Sequence, residues 1–511
     1  MQDTTSKNKR IAKNTLVLYV RMLFLMLISL YTSRIILEAL GIEDFGIYNV
    51  VGGFVALFAI VSKSLSGAAS RFLNYEMGRG NKKRLKETFS SIVTIQIFLA
   101  LSVAFLAETI GLWFLNNKMV IPHERLGAAN VCFQLSLVTF CSNLITVPYN
   151  AAIIAHERMK AFAYVSIFEG LSKLGISFLI MSSPIDRLVY YSILLCFLQL
   201  SIRKLYRLYC RKHFEECTYH FLYKKEILQP ILGYAGWGFI GSTSGVLRNQ
   251  GINVLINLFF GPTINASRAV ANQVLHAVEG FVNNFITALR PQITQSYAAG
   301  NFQYMVGLVM QGAKFSYFLF LLLSMPIIIN TDVILSIWLK NVPEHSTLFV
   351  QLTLVFTLIS TLVHPLSIAQ AATGKIRDYQ LVIGGLQLLN LPISYVCLKL
   401  NCIPETVLLV AIAISLIVVF VSMQMLHRLL PFDITVFMKN VVIKVLIVTL
   451  LTYFLSKGIK HILPTGIVFL MANVVICIII TTIIIAVIGC NQNERYVIMH
   501  RISSIRKKFM K

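Results

Sequence analysis

Long apolar runs, separated by short polar or basic segments, fill the chain from residue 14 to residue 489. A helix crosses the hydrocarbon core of a bilayer with about 20 apolar residues, and a backbone in lipid must satisfy its own hydrogen bonds. The pattern therefore predicts about fourteen membrane-spanning helices. Their predicted positions are residues 14–38, 46–73, 87–113, 127–153, 161–182, 188–209, 229–259, 263–290, 304–330, 346–371, 379–398, 404–426, 437–457 and 463–489.

The composition agrees with this pattern. Of the 511 residues, 57% are apolar and 13% are charged, and the mean hydropathy is +0.74. A soluble protein carries about 25% charged residues, so the composition excludes a soluble enzyme and a disordered scaffold. The predicted fold class is an all-α polytopic membrane protein.

Cysteine spacing and the N-terminal segment bear on disulfides, metal sites and a signal peptide. The nine cysteines form no CxxC pair and no Cys/His ligand spacing, so we expect no disulfide framework and no metal site. The polar start Met1–Lys13 runs into an apolar stretch too long for a signal-peptide core, so we expect the first span to remain in the protein. No resident cofactor is predicted.

The distribution of basic residues predicts the orientation. The net charge is +24, and there is too little soluble chain to build a nucleic-acid-binding module. Of the 45 Lys and Arg residues, 28 fall in segments on the side of the N-terminus or in the span ends next to them, seven fall in or next to the opposite segments, and the other ten lie within spans. Cytoplasmic loops are enriched in Lys and Arg. We therefore expect both termini in the cytoplasm.

A weak internal repeat connects the two halves of the chain. Gly80-Asn81 recurs as Gly300-Asn301, and the segment that begins at Pro148 recurs at Pro365. Six spans separate the members of each pair, so the halves have the same orientation, which predicts a parallel repeat about an axis along the membrane normal. Two half-bundles favour a transporter with alternating access over a pore.

The predicted organisation follows from the spans and the repeat. It consists of a cytoplasmic N-terminus (1–13), an N-lobe of spans 1–6 (14–209), a cytoplasmic basic linker (210–228), a C-lobe of spans 7–12 (229–426), spans 13 and 14 (437–489) and a basic amphipathic cytoplasmic tail (490–511). In the tail, apolar residues recur at helical spacing between basic ones, which is typical of a helix lying on anionic lipid.

Ten cations are assigned to the membrane interior, and six acids lie inside the predicted spans, namely Glu38, Glu87, Glu108, Glu169, Glu279 and Glu405. A charge at the bilayer centre costs about 2.5–3.5 kcal/mol on insertion scales, so deep cations must face a wet cavity or a partner. Several have structural explanations, because some lie where they can snorkel from span ends and Arg34/Glu38 and Glu169/Lys173 are i,i+4 pairs. The snorkelling candidates are Lys63, Arg71, Lys314 and Lys444.

Polar residues in the seventh and eighth spans form the candidate binding site. Arg268, Asn272, His276 and Glu279 follow one another at helical spacing, which draws a polar stripe along the eighth span. Polar contacts between packed helices are the alternative explanation. The surplus of cations suits an anionic substrate, because guanidinium groups pair with phosphate oxygens in bidentate fashion. The predicted substrate-binding residues are Arg21, Arg34, Arg248, Asn249, Arg268 and Asn272.

Two blocks of sequence carry a family resemblance. The first comprises Thr32–Val50, Ser70–Phe72 and Gly78–Asn81, and the second comprises Leu258–Pro262, Asn265–Val274, Arg290–Ile293 and Ser296–Asn301. Together they resemble bacterial polysaccharide and O-antigen flippases, which belong to the multidrug/oligosaccharidyl-lipid/polysaccharide (MOP) exporter superfamily. The span count and the two-lobed arrangement extend the resemblance over nearly the whole chain.

The resemblance implies a function in the bacterial cytoplasmic membrane. Such a protein moves an undecaprenyl-diphosphate-linked oligosaccharide to the outer leaflet for O-antigen or capsule-type polysaccharide and changes no covalent bond, so no enzyme activity is expected. It implies cavity arginines, here Arg21 and Arg268. Some members of the superfamily couple to proton or sodium gradients, and here the expected titrating pair is His276 and Glu279. The expected partners are the lipid-linked oligosaccharide, anionic membrane lipids and glycan polymerase or ligase machinery, with no nucleic acid.

Other functions remain open on the sequence. A multidrug or cation antiporter of the same superfamily would need acidic groups for a cationic drug, whereas the surplus here is basic. A teichoic-acid exporter or a lipid II flippase fits the charge equally well. A membrane-embedded glycan ligase or polymerase usually has a large catalytic outer loop, and every predicted outer loop here is short.

Overall fold

A computed structural model describes residues 2–56, 59–117, 121–222, 224–339, 342–462, 467–492 and 494–495. Within these ranges the chain is helical, with no strand. The α-helices are α1 (Gln2–Ala56), α2 (Ala59–Arg79), α3 (Lys82–Leu106), α4 (Leu112–Asn117), α5 (Leu126–Ala155), α6 (Met159–Leu179), α7 (Arg187–His213), α8 (Lys225–Ala298), α9 (Phe302–Ile329), α10 (Thr331–Trp338), α11 (Ser346–Thr373), α12 (Arg377–Leu388), α13 (Asn390–Lys399), α14 (Thr406–His427), α15 (Ile434–Phe437), α16 (Ile443–Ile462) and α17 (Ile467–Ile484).

Short 3₁₀ and π-helical segments extend or connect several of these helices. They are Ala107–Gly111, His123–Arg125, Ile180–Ser182, Met438–Val442 and Ile485–Gly489. The first joins α3 to α4, and the fourth joins α15 to α16, so each pair forms one continuous rod. Such rods reach the length that a bilayer requires, about 30 Å.

Within the described residues, ten helical stretches are long and apolar enough to cross a membrane. They are Lys82–Asn117, His123–Ala155, Met159–Ser182, Arg187–His213, Phe302–Ile329, Ser346–Thr373, Arg377–Lys399, Thr406–His427, Ile434–Lys460 and Phe469–Gly489. The prediction of an all-α polytopic membrane protein is confirmed. The other four predicted spans fall on α1, α2 and α8, and α1 and α8 carry Arg21, Arg248 and Arg268.

Helix α1 is interrupted by a residue that is not helical. Gly41 has φ 76° and ψ 172°, a backbone conformation that glycine adopts without the steric penalty of a Cβ atom. This break falls between the first two predicted spans, at residues 38 and 46. The sequence therefore places a glycine at the kink that redirects α1.

Helix α8 differs most from the sequence prediction. Its 74 residues would extend over about 110 Å as a straight helix, more than three times the hydrocarbon thickness. However, a guanidinium nitrogen of Arg268 donates a hydrogen bond to the backbone oxygen of Asn249 over 3.3 Å, although 19 residues separate them. The chain must reverse between these residues, where the sequence contains Gly261-Pro262, a turn-forming pair. Spans seven and eight are thus two arms of one element.

Helix ends recur at the positions that the internal repeat relates. Gly80 and Gly300 both have positive φ, 72° and 76°. Gly80 comes directly after the end of α2, and Gly300 comes two residues after the last residue of α8. Glu157 (φ 54°) follows the end of α5, and Gly374 (φ 81°) follows the end of α11, at the same separation as the repeated prolines. A left-handed residue after the last turn is a common way to stop a helix. The two halves of the sequence therefore end equivalent helices by the same local geometry.

The chain forms two compact units. Unit 1 comprises residues 1–243, 287–301 and 371–380, and unit 2 comprises residues 244–286, 302–370 and 381–511. Helix α8 begins in unit 1, passes through unit 2, where the chain reverses, and ends in unit 1. The predicted lobe boundaries remain a prediction.

In unit 1, an arginine joins three segments at one end of the bundle. Arg125, directly before α5, donates to both carboxylate oxygens of Asp44 and, over 2.5 Å, to Asp186. Asp186 also caps α7 by accepting from the backbone N–H of Val189. Burial raises the pKa of the Asp186 carboxyl, but the hydrogen bonds from Arg125 and Val189 outweigh that effect, so its pKa lies below the ordinary value. The carboxylate therefore stays ionised at neutral pH.

In unit 2, a buried ion pair ties α9 to the segment after α17. The ammonium of Lys314 lies 2.8 Å and 2.6 Å from the two carboxylate oxygens of Glu494, and the two side chains are 3% and 13% exposed. The prediction that Lys314 snorkels from a span end is therefore wrong, because its charge is neutralised inside the protein. Breaking a buried pair leaves an uncompensated charge.

We expect Glu494→Gln to lower the stability of the protein by about 3–5 kcal/mol. Glu215→Gln is the matched control, because Glu215 pairs with Lys82 at 3.2 Å but both side chains are 84% exposed, and an exposed pair contributes about 0–1 kcal/mol. Thermal unfolding of both variants in detergent measures the difference. Equal melting temperatures would contradict the structural role of the buried pair.

Candidate substrate-binding site

Three of the predicted binding residues meet in unit 2, at the two arms of α8. Arg248 lies on the first arm, and its guanidinium donates to the side-chain oxygen of Asn249 at 3.5 Å. Arg268 lies on the second arm and donates to the backbone oxygen of Asn249. Asn249 therefore holds both guanidinium groups, and the two groups lie close enough to repel each other. The guanidinium of Arg248 also lies 5.3 Å from the centre of the Phe356 ring.

No carboxylate neutralises this cluster among the described residues. None of the ion pairs there includes Arg248 or Arg268. Arg268 is 8% exposed, and its Nη1 atom is buried without a hydrogen-bond partner among the described residues. An unpaired buried donor costs about 1–3 kcal/mol, and more when it is charged. The arrangement is therefore complementary to an anion that supplies the missing acceptors.

The rest of the predicted stripe continues along the second arm of α8. Asn272 is partly buried one turn after Arg268. One turn further, the Nδ1 atom of His276 lies 3.9 Å from a carboxylate oxygen of Glu279, which is too long for a hydrogen bond. This contact becomes an ion pair only when the imidazole is protonated. The His276 side chain is 75% exposed and that of Glu279 is 31% exposed.

Arg21 lies in unit 1, and the structure gives it different surroundings. Its guanidinium carbon lies 4.5 Å from the centre of the Phe162 ring, and it interacts electrostatically with Tyr206 and Glu169. Glu169 is already paired with Lys173 at 2.7 Å, as the i,i+4 spacing predicts. The side chain of Arg34 lies outside the described part of the structure.

Sequence analysis missed a second basic feature, a cavity of 320 Å³ in unit 1. Its lining includes Arg71, Trp237 and Arg377, which come from three distant parts of the chain. The sequence explains Arg71 as a residue that snorkels or lies near a span end, and it gives no indication that Arg71 lines a cavity. A linear pattern gives no signal for such a site, because helix packing alone brings these residues together.

The chain belongs to the family described as polysaccharide biosynthesis protein, which it matches over residues 11–297, more than half of its length. It is also similar to the uncharacterized membrane protein EpsK of Bacillus subtilis (strain 168), with 20% identity over 132 residues. That match spans about a quarter of the length of each protein, 26% of this chain and 26% of EpsK.

Solved structures of MOP superfamily transporters share the fold. A MOP superfamily transporter from Pyrococcus furiosus has 13% identity and a TM-score of 0.68, covering 83% of this chain and 95% of its own. The Vibrio cholerae MATE transporter VcmN has 14% identity and a TM-score of 0.68, covering 84% of this chain and 98% of its own. The chain is therefore a multi-pass membrane protein of the polysaccharide biosynthesis family, and it shares its fold with these transporters.

We expect Asn249→Asp to weaken binding of an anionic glycosyl diphosphate lipid at least tenfold and to raise the melting temperature. A carboxylate at this position would pair with the guanidinium of Arg248, which contacts the Asn249 side chain, and would reduce the repulsion between the two cations. It would also occupy donors that an anion needs. Binding to the purified protein and thermal unfolding measure the two effects.

Arg268→Gln provides the complementary variant, since it removes one cation without adding an acid. It should weaken binding in the same direction without lowering the melting temperature. Undiminished binding in both variants would show that the cluster is polar packing between helices and holds no ligand.

Proposed function

We propose that the protein is a flippase that carries an undecaprenyl-diphosphate-linked oligosaccharide across the bacterial cytoplasmic membrane by alternating access, for O-antigen or capsule-type surface polysaccharide. The observation that carries the proposal is the pair of guanidinium groups of Arg248 and Arg268, held by Asn249 with no carboxylate neutralising them among the described residues. Family membership supports a glycan-related cargo.

The chemistry of this cargo explains why such a cluster is useful. Its diphosphate and sugars cannot enter hydrocarbon, whereas its polyprenyl tail can stay in lipid. Guanidinium groups bind phosphate oxygens through short, charge-assisted hydrogen bonds, and these interactions are strong where water is scarce. The protein would bind the head group and let the tail follow in the bilayer, so no covalent step is needed.

The sign of the charge argues against a cation antiporter. A cationic drug would meet two guanidinium groups, and like charges brought together cost several kcal/mol. An anionic head group supplies the acceptors that the Nη1 atom of Arg268 lacks among the described residues. The expected partners, anionic lipid and glycan polymerase or ligase machinery, belong to the same proposal.

Proteoliposomes test the proposal directly. We expect the wild-type protein to move a fluorescent glycosyl diphosphate polyprenol from the inner to the outer leaflet, and Arg268→Gln to slow this movement at least tenfold. The same vesicles should leave a cationic dye untransported. Transport of the dye without movement of the lipid would contradict the proposal and favour an antiporter.

The coupling residues have a separate test. We propose that Glu279, with His276 at 3.9 Å, responds to a proton or sodium gradient. Glu279→Gln keeps the size of the side chain but removes its charge, so it should abolish the acceleration that a gradient gives and leave binding within about twofold. Initial flipping rates with and without each gradient measure the effect, and an unchanged gradient response would overturn the assignment.

A further inference from the structure

The cavity in unit 1 lies where three helix ends meet. One wall is the last part of α2, another is the first part of α8, and the third is the turn between α11 and α12. Basic residues are frequent in the adjoining chain, from Arg79 to Lys86 and at Lys224 and Lys225. The lining residues are Arg71, Phe72, Pro230, Gly233, Tyr234, Trp237, Gly374, Lys375, Ile376 and Arg377.

The lining combines cations with aromatic rings. Arg71, Lys375 and Arg377 contribute three positive charges, and none of the lining residues is acidic. Tyr234 and Trp237 contribute ring faces on the α8 side. Binding sites commonly pair apolar or aromatic walls with a few placed polar groups. Here the charged groups are all cationic, so the matching ligand is an anion with an apolar or ring face.

The guanidinium of Arg71 is held in place before any ligand binds. One of its nitrogens donates to the backbone oxygen of Ala372 at 3.2 Å. Its carbon lies 4.5, 4.7 and 5.7 Å from the ring centres of Phe72, Tyr75 and Tyr234. The Nε atom is buried and has no hydrogen-bond partner in the described part of the chain. Such a group offers a fixed donor, which reduces the entropy lost on binding.

Gly374 makes this position possible. Its φ of +81° favours glycine, and a Cβ atom there would lie 2.6 Å from a guanidinium nitrogen of Arg71. The backbone at the end of α11 can therefore approach the arginine closely. This close approach also sets the position of Lys375 and Arg377, which come one and three residues later in the chain.

Arg377 and Trp237 form the opposite part of the cavity. The guanidinium carbon of Arg377 lies 5.5 Å from the centre of the Trp237 ring, within the range of a cation–π contact. Arg377 is also the first residue of α12, so the positive end of the helix dipole adds to the potential there. A sugar ring could lie against the remaining surface of the indole while its phosphate meets the cations.

We propose that this cavity binds a glycosyl phosphate group, with Arg71, Lys375 and Arg377 on the phosphate and Trp237 against the sugar. A volume of 320 Å³ is at the lower end of the usual range for ligand sites, so it admits one sugar and its phosphate rather than an oligosaccharide. The inference rests on the proposed function, because it makes this cavity a separate docking site for the phosphate-proximal sugar of the same cargo.

Trp237 provides its own reporter, since the sequence contains three tryptophans. In a full-length Trp113→Phe/Trp338→Phe background, Trp237 is the remaining emitter. The probe is a polyprenol diphosphate bearing one N-acetylhexosamine, titrated into the protein in phosphatidylcholine nanodiscs. We expect a saturable change in Trp237 emission and competition by inorganic pyrophosphate.

Variants test the assignment of the cations. Arg377→Gln should weaken the apparent affinity at least tenfold, and Arg377→Lys should restore part of it by keeping the charge without the planar donor pair. Lys83→Gln is the matched control, because it removes one exposed charge from the neighbouring basic segment and lines no part of the cavity. It should change the affinity less than twofold.

Three outcomes would overturn the inference. They are a titration without saturation, equal affinity in Arg377→Gln and wild type, and displacement of the probe when phosphatidylglycerol replaces part of the phosphatidylcholine. The last would identify the cavity as a site for ordinary anionic lipid.

Flipping assays on the same samples keep this inference apart from the proposed function. Normal flipping with no response of Trp237 overturns the cavity assignment alone. A saturable response in a protein that flips nothing overturns the flippase proposal and leaves the cavity as a glycosyl phosphate site.

Discussion

Uncompensated positive charge inside a membrane protein is the constraint on which this structure depends. Arg248 and Arg268 share one asparagine, lie close enough to repel each other, and meet no carboxylate among the described residues. Such an arrangement costs stability that a neutral or acid-paired cluster would not. Elsewhere the same chain neutralises a buried cation, as Lys314 and Glu494 show. The contrast supports the proposal that the α8 cluster binds an anion.

The cluster forms because helix α8 reverses and brings two of its own segments together. The two arms of α8 bring residues 249 and 268 into contact, while ten apolar helical stretches elsewhere in the described chain supply the membrane-spanning framework. Gly80 and Gly300, and likewise Glu157 and Gly374, have positive φ at equivalent helix ends, so the two halves of the chain share this local backbone geometry.

Sequence reasoning succeeds where the signal is local. Apolar length predicts the spans, and the break between the first two of them contains the kink at Gly41. Helical spacing predicts the Glu169–Lys173 pair and the succession from His276 to Glu279.

Sequence reasoning fails where packing joins distant segments. Lys314 and Glu494 are 180 residues apart, and Arg71 and Ala372 are 301 residues apart. No periodicity encodes either contact, so the sequence alone predicts both cations at span ends.

An experimental structure with a bound polyprenol diphosphate sugar tests the central claim most directly. The account predicts a phosphate oxygen within charge-assisted hydrogen-bond distance, about 2.7–2.9 Å, of the Nη1 atom of Arg268, with Arg248 on the same phosphate group. A diphosphate bound away from both guanidinium groups, with a carboxylate closing on Arg268 instead, would contradict it.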